Sequence, residues 1–195
     1  ALQDAAARRV GKEAAVFVPS GTMANQAAIR VLTAHGDLML ASEGAHVLRY
    51  ESGAAAALSG VQIATIGRAG VFDADDVRRA LTPPDHHHPP CTLVAVENTH
   101  NTSGGRVFPW DVLRDVAACA RERGLRLHLD GARLFNAEVA SGIPAARWAE
   151  PFDTVSFCFS KGLGAPVGSV VCGSAATVDR LHRVRVGEAP RLTGD

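Results

Sequence analysis

Lys161 lies where an apolar run gives way to a glycine-rich turn, a place where few lysines occur. Residues 155–159 alternate bulky and small side chains as a buried strand does, and three glycines and a proline follow Lys161 within seven positions. An amine held there is poorly solvated, which favours its neutral form and makes it a nucleophile toward a carbonyl group, as a Schiff-base lysine requires. The alternative is a strand-end lysine whose ammonium reaches water. The local pattern leaves both interpretations open.

Asp130 and Arg133 follow another apolar run, with the acid at its end and the arginine three residues on. A carboxylate there is suited to a protonated ring nitrogen, and the two charges would stabilise each other. The planar guanidinium of Arg133 is suited to a substrate carboxylate. The alternative is that the two residues form a salt bridge with each other or cap the next element.

A possible anion site precedes a predicted helix at Ser20, Gly21 and Thr22. Backbone N–H groups at a helix N-terminus bind anions, so a phosphate fits there. The alternative is an ordinary N-cap, in which Ser20 or Thr22 accepts a hydrogen bond from a free N–H group. The short motif alone favours the ordinary cap.

Two histidines, His46 and His100, lie in short polar segments after predicted strands. Either is suited to act as a general base or to lie as a flat ring against a heterocycle, and the alternative for both is a structural role. The three histidines at 86–88 lie between two proline pairs. We interpret them as part of a solvated loop and predict no metal site, because a flexible triplet holds converging ligands poorly.

Apolar runs and helical stripes alternate along the chain and must position these groups. Strands are predicted at 14–18, 38–41, 61–66, 92–96, 125–129, 153–159 and 168–172, and helices at 1–10, 24–32, 54–58, 73–81, 110–123 and 175–183. This alternation predicts an α/β fold with a mainly parallel sheet covered by helices on both faces. In such sheets ligands bind beyond the carboxyl ends of the strands, which is where the polar groups described above lie.

The composition is that of a globular protein, and its charge balance favours small molecules over nucleic acid or membranes as partners. The chain has 195 residues, 47% of them hydrophobic, with 20 acidic and 20 basic residues and a formal net charge of zero. A zero net charge gives no electrostatic reason to expect nucleic acid or an anionic membrane as a partner. Four scattered cysteines lack the spacing of a metal site, and we interpret them as reduced thiols of a cytoplasmic protein. They are Cys91, Cys119, Cys158 and Cys172.

Together, these candidates are the groups that a pyridoxal-phosphate site requires. They are a phosphate-binding helix N-terminus, an acid for a ring nitrogen, a ring that stacks on the cofactor, an arginine and a nucleophilic lysine. Apart from His46, the candidate residues lie in four segments: VPSGTMAN at 18–25, ENTHN at 97–101, HLDGARLFNA at 128–137 and SKGLGAPVG at 160–168. These segments resemble the low-specificity L-threonine aldolases, which belong to the fold-type-I, aspartate-aminotransferase-like group. The resemblance implies the large-domain fold of the enzymes that depend on pyridoxal phosphate.

The same resemblance implies which residues bind pyridoxal 5'-phosphate. Lys161 would form the internal aldimine, Asp130 would pair with the pyridine nitrogen, and His46 would stack on the ring. Gly21 and Thr22 would hold the phosphate.

For the substrate, the resemblance implies retro-aldol cleavage of L-threonine, L-allo-threonine or other β-hydroxy-α-amino acids to glycine and an aldehyde. Arg133, which we group with the cofactor-binding residues, would clamp the substrate carboxylate, and His100 would lie near the substrate hydroxyl. The base that takes the hydroxyl proton stays open between His46, His100 and a water that they hold, with His46 or its water favoured.

From the resemblance we assign residues 1–183 to a cofactor-binding large domain with a truncated N-terminal segment. We assign residues 184–195 to a tail outside the family pattern, and we expect the small C-terminal domain to be absent. We also expect a cytoplasmic homo-oligomer, a dimer or a tetramer, that serves threonine catabolism and glycine biosynthesis. Two alternatives are a related fold-type-I β-eliminating lyase and a cofactor-binding but inactive fragment that acts as a subunit.

Overall fold

The structure, a computed structural model, describes residues 1–83 and 85–185. Seven strands in these ranges form one sheet: β1 (Ala14–Val18), β2 (Leu38–Ser42), β3 (Gln62–Ile66), β4 (Cys91–Glu97), β5 (Arg126–Asp130), β6 (Thr154–Cys158) and β7 (Ser169–Gly173). Their order across the sheet is β1-β7-β6-β5-β4-β2-β3.

The helices of the same ranges lie mostly between the strands in sequence. They are α1 (Leu2–Arg9), α2 (Gly21–Leu32), α3 (His46–Arg49), α4 (Ala54–Ser59), α5 (Ala74–Ala80), α6 (Trp110–Glu122), α7 (Leu134–Ser141), α8 (Ala145–Ala149) and α9 (Ala175–Arg185). The alternation of strands and helices confirms the predicted α/β fold.

Most neighbouring strands are parallel, and β7 is the exception, since it runs antiparallel to both β6 and β1. It follows β6 after residues 159–168, whereas a parallel return needs a crossover of a dozen residues or more. Because β1 and β6 each oppose β7, β1 points the same way as the parallel strands. The carboxyl ends of β1, β4, β5 and β6 therefore lie at one edge of the sheet.

Helices cover both faces of the sheet, as predicted. Along β4, Val94 and Val96 pack into a hydrophobic cluster that includes α1 and α6, while Leu93 and Ala95 pack into another that includes residues of α2 and α4. This alternation places successive side chains on opposite faces, and both faces exclude water. A further cluster joins α2 and α9 to β1.

The predicted elements are present with small changes at their ends, and three helices, α3, α7 and α8, were not predicted. Val184 and Arg185, at the start of the predicted tail, continue α9, and the rest of that tail lies outside the described residues. No helix within residues 1–83 and 85–185 has both the length and the apolar character to cross a membrane. All four cysteines are free.

Candidate active site

Two buried carboxylates lie side by side at the carboxyl ends of the central strands. Glu97 ends β4, Asp130 ends β5, and the two residues are partners in the parallel register. A third carboxylate, Glu51, lies just beyond α3 and is 2% exposed, compared with 6% for Glu97 and 8% for Asp130. In the described part of the chain, none of the three forms an ion pair with lysine or arginine. The site therefore holds buried negative charge that needs N–H donors or a cationic ligand.

Two amide side chains of α2 donate to two of these carboxylates. Asn25 Nδ2 lies 2.7 Å from Asp130 Oδ2 and 2.8 Å from Glu51 Oε1. Gln26 Nε2 lies 2.6 Å from Glu51 Oε2. The other oxygen of Asp130 accepts the N–H of Ala132 at 3.1 Å. Because a carboxylate offers about four lone-pair positions, Asp130 can accept a further donor.

His46 begins α3 and is held by Glu51. Its Nδ1 lies 2.9 Å from Glu51 Oε1, and 25% of its side chain is exposed. Since an ionised carboxylate only accepts hydrogen bonds, Nδ1 carries the hydrogen and Nε2 is left as the proton-accepting nitrogen of the neutral ring. Ligand-type atoms of His46, Glu51 and Asp130 lie within 4.8 Å of one another. The structure thus brings His46 and Asp130 together, and the Asn25 amide bridges the carboxylates of Glu51 and Asp130.

Glu97 connects the two segments that carry the candidate histidines. Its Oε2 accepts the His46 N–H at 2.8 Å, and its Oε1 accepts the Asn101 N–H at 2.8 Å. Burial, followed by the nearby charge of Asp130, raises the pKa of Glu97, while the two N–H bonds oppose the increase. The carboxylate therefore fixes the backbone at both histidine segments.

His100 is 1% exposed, and its Nδ1 lies 3.0 Å from Ser103 Oγ. Its Nε2 has no hydrogen-bond partner among the described residues, with Glu97 Oε2 at 3.8 Å. Burial lowers the pKa of His100, although the charge of Asp130 opposes this. The ring is therefore neutral near pH 7, and its buried Nε2 is left without a hydrogen-bond partner in the described part of the chain.

Arg133 does not form the salt bridge with Asp130 that was one alternative; in the described ranges, its Nη1 donates to Asn101 Oδ1 at 2.9 Å. Arg133 is half-buried. Because the Asn101 backbone is bound by Glu97, the guanidinium is attached to the same network as the two histidines.

At the start of α2, Ser20 is an ordinary N-cap whose Oγ accepts the N–H of Met23 at 3.1 Å. The N–H groups of Gly21 and Thr22 have no acceptor among the described residues. A methyl group on Gly21 would lie 3.0 Å from Cys158 Sγ, which places this helix N-terminus against the end of β6. The cap and an anion site are therefore compatible.

Lys161 lies in the turn between β6 and β7 and is half-buried. Its amine forms no hydrogen bond or ion pair within residues 1–83 and 85–185. This turn follows β6, the neighbour of β5 in the sheet, and Ser156 of β6 is the register partner of Asp130. Lys161 therefore lies at the same edge of the sheet as the other candidates without bonding to them.

The sequence-based reasoning assigned no role to several buried polar residues of the site. One of them is His128, whose Nδ1 lies 2.8 Å from Thr154 Oγ1 and whose Nε2 lies 3.2 Å from Asn25 Oδ1. The sequence did carry a signal that the amides Asn25 and Gln26 are buried. The helix α2 has no charged residue before Arg30, so it has no strongly polar face to turn toward water. The residues without an assigned role are Asn25, Gln26, Glu51, Glu97 and His128.

The sequence model of the family described as "Beta-eliminating lyase" matches residues 1–193, which extends past the motifs quoted above. The low specificity L-threonine aldolase of Escherichia coli (strain K12) is 41% identical over 187 residues, covering 95% of this chain and 55% of that protein. Low-specificity L-threonine aldolase 1 of Arabidopsis thaliana is 38% identical over 189 residues, covering 94% of this chain and 53% of that protein. The chain thus spans about half the length of the curated relatives it matches.

Among solved structures, a candidate aromatic amino acid β-eliminating lyase/threonine aldolase from Exiguobacterium sp. 255-15 has the same fold. Its TM-score to this chain is 0.82 at 31% sequence identity, over 95% of this chain and 51% of that one. These similarities confirm the resemblance that the strand-end motifs indicated. The chain belongs to the β-eliminating lyase family.

Proposed function

We propose that this chain forms the pyridoxal-phosphate-binding part of an aldolase that cleaves L-threonine or L-allo-threonine to glycine and acetaldehyde. The observation that carries the proposal is Asp130, a buried carboxylate at a strand end with room for one more donor and no lysine or arginine partner among the described residues. A protonated ring nitrogen supplies both the donor and the missing positive charge. The similarity to the relatives named as threonine aldolases supports the substrate class.

The residues present fit pyridoxal phosphate at each end of the molecule. Asp130 would bind the ring nitrogen, and the free N–H groups of Gly21 and Thr22 would bind the phosphate. Lys161, whose amine is unpaired in the described part of the chain, would hold the aldehyde carbon, and His46 would lie against the ring. When bound, the cofactor accepts the electron pair that cleavage leaves on the α-carbon of the substrate.

The side chains around the cofactor would orient the amino acid and move one proton. Arg133 would bind the substrate carboxylate and so set the angle of the breaking Cα–Cβ bond. As that bond breaks, the β-hydroxyl proton passes to a base, the hydroxyl carbon becomes the aldehyde, and the remaining fragment takes up a proton to give glycine. Atoms therefore balance without a further reactant.

We favour His46 as the base over His100. His46 is partly exposed and has its Nδ1 hydrogen bound to Glu51, which leaves Nε2 able to accept a proton. His100 is almost fully buried, and its unpartnered Nε2 is better suited to a hydrogen bond with the substrate hydroxyl. His46→Asn would then lower kcat, whereas His100→Asn would act mainly on KM.

The test of the proposal uses an unusual feature of the composition, since Lys12 and Lys161 are the only lysines in the sequence. Lys12 is held in the fold, with Nζ 2.6 Å from the Phe152 carbonyl oxygen. Borohydride reduction of the protein loaded with pyridoxal phosphate should attach the cofactor to Lys161 and leave Lys12 unmodified, as peptide mass spectrometry would show. Labelling of Lys12, or a visible cofactor band that survives Lys161→Ala, would contradict the proposal.

Glycine and acetaldehyde released from L-threonine or L-allo-threonine by the complete gene product would support aldolase activity. The family description favours one competing reaction, β-elimination, which gives ammonia and a keto acid and no glycine. Bound cofactor without release of any product would instead indicate an inactive, cofactor-binding subunit.

We also propose a homo-oligomer, a dimer or a tetramer, that works in the cytoplasm in threonine catabolism and glycine formation without nucleic-acid or membrane partners. The free cysteines and the zero net charge support this setting. We assign residues 1–183 to the cofactor-binding domain. Light scattering after size-exclusion chromatography would give the oligomeric state directly.

A further inference from the structure

Asn25 lies inside α2, is 3% exposed, and uses every hydrogen-bonding position of its side chain. Its Nδ2 donates to Asp130 Oδ2 at 2.7 Å and to Glu51 Oε1 at 2.8 Å. Its Oδ1 accepts the hydroxyl of Ser156 at 3.0 Å and lies 3.2 Å from His128 Nε2. A primary amide has two donors and two acceptor positions, so the residue is saturated.

Only one orientation of this amide satisfies its neighbours. The two carboxylates can only accept hydrogen bonds, so the NH₂ group must face them. On the other side, the Ser156 hydroxyl donates to the carbonyl oxygen. Nε2 of His128 also donates when Nδ1 accepts the Thr154 hydroxyl, which lies 2.8 Å away. Burial keeps this ring neutral by lowering its pKa, and neutrality is what this arrangement of one donor and one acceptor requires.

We infer that Asn25 is a positioning residue that holds Asp130 and, through Glu51, His46 in a fixed arrangement that the cofactor would meet. Asp130 and His46 are the two side chains assigned to the cofactor ring, so this inference rests on the proposed function. Asn25 touches neither the substrate nor the cofactor in this assignment. It acts by fixing the carboxylate that the ring nitrogen meets and the carboxylate that orients the histidine.

Without the Asn25 amide, Asp130 and Glu51 would face each other with no shared donor. Two buried carboxylates with no donor between them repel each other, which favours protonation or rotation of one of them. A protonated or rotated Asp130 no longer stabilises a positive ring nitrogen. The expected signature of Asn25→Ala is therefore a cofactor whose ring nitrogen loses its proton, together with weaker cofactor binding.

Gln26 provides a matched control on the same helix. It is also a buried amide, 5% exposed, and its Nε2 donates to Glu51 Oε2 at 2.6 Å. It makes no hydrogen bond to Asp130 among the described residues. Gln26→Ala therefore removes a buried amide and one bond to Glu51 while the contact between Asn25 and Asp130 stays intact.

The experiment uses the complete gene product, freed of cofactor and reloaded with pyridoxal phosphate labelled with ¹⁵N in the ring. The ¹⁵N chemical shift reports protonation of the ring nitrogen over a pH series, and equilibrium titration gives the affinity. We expect a protonated nitrogen in the wild type and in Gln26→Ala. For Asn25→Ala we expect loss of that proton within the series and binding weakened about 10- to 100-fold, the scale of a lost hydrogen bond to a charged group.

Thermal unfolding of the cofactor-free variants checks that each one folds. If Asn25→Ala does not fold, Asn25→Ser takes its place, because a hydroxyl can donate to one carboxylate but not to both. For Asn25→Ser we expect a ¹⁵N chemical shift of the ring nitrogen between the values for the protonated and the unprotonated nitrogen. A ring-nitrogen signal unchanged in a folded Asn25 variant, or changed equally in Gln26→Ala, would overturn the positioning role alone. A wild-type protein that binds no pyridoxal phosphate would overturn the proposed function as well.

Discussion

Two glycines at the candidate site differ in what an added methyl group would meet. At Gly21 it would lie 3.0 Å from the sulfur of Cys158, which is buried on β6. At Gly162 it would meet the end of the Asn136 side chain, which is exposed and free to rotate. The same substitution should therefore have different effects at the two positions.

We predict that Gly21→Ala lowers the free energy of unfolding by about 1 kcal/mol or more, the scale of overpacking in a well-packed region. It should also weaken pyridoxal-phosphate binding, because the N–H groups of Gly21 and Thr22 must shift. Gly162→Ala should change neither quantity appreciably. Urea unfolding and cofactor titration measure the two effects.

The double variant Gly21→Ala, Cys158→Ala tests the cause of that loss. Removing the sulfur makes room for the methyl group, so the double variant should bind the cofactor better than Gly21→Ala alone. If the loss of affinity in the double variant equals the sum of the losses in Gly21→Ala and Cys158→Ala, the clash with Cys158 is not the reason.

Which residues could be found from sequence depends on how much of their environment is local. Asp130 stands out because it directly follows an apolar run, and Lys161 because it follows another run after a single serine, so positions near strand ends could be predicted for both. Asn25 and Glu51 are 26 positions apart and meet only when α2 packs beside the segment after α3. Single-sequence patterns carry no signal for such a pairing, and the hydrogen-bond network around the predicted residues was therefore missed.

At the scale of elements, α2 carries both the N-terminal N–H groups assigned to the phosphate and the amides that bind the carboxylates. Ser20 caps this helix through Met23, while the N–H groups of Gly21 and Thr22 stay free within the described ranges. The cap and the proposed anion site thus use different N–H groups, so mutation can test the two roles separately.

We predict that Ser20→Ala lowers the free energy of unfolding by about 1 kcal/mol, as loss of an N-cap does, while affinity for pyridoxal phosphate stays close to wild type. Ser174, just before α9, is a matched control because its Oγ also accepts an N–H three residues on, that of Thr177. Ser174→Ala should give a similar loss of stability. A large loss of cofactor affinity in Ser20→Ala alone would show that the phosphate needs the hydroxyl.

Sequence periodicity predicted the long elements and missed short or weakly amphipathic ones. In α7, Leu134 and Ala137 are buried, but Val139 is 86% exposed, so no clear apolar stripe marks this helix. The direction of β7 could have been predicted, because the connection from β6 is shorter than a parallel crossover requires. Strand positions depend on local patterns, whereas strand direction depends on the length of the connections.

For the molecule as a whole, burial of ionisable groups makes stability depend on pH, and the signs differ between groups. Burial lowers the pKa of His128 from 6.5 to about 4, although Asp130 opposes the shift. Between pH 6.5 and about 4 the unfolded chain binds a proton at His128 and the folded chain does not, so stability falls as the pH decreases through this range. His100 acts in the same direction. Glu97, whose pKa is raised, acts in the opposite direction, because folding favours its protonated form.

We predict that the free energy of unfolding of the wild type falls more steeply than that of His128→Gln as the pH decreases from 6.5 to about 4. The contributions of His100 and Glu97 are common to both proteins, so the difference between them isolates His128. At neutral pH the variant should be less stable, because its side chain cannot reproduce both ring hydrogen bonds. Its deficit should then shrink in acid, as urea unfolding across a pH series would show. The control variant His86→Gln replaces an exposed ring, so its free energy of unfolding should follow that of the wild type across the pH series. If the stability deficit of His128→Gln stays constant with pH, His128 is not buried as a neutral ring.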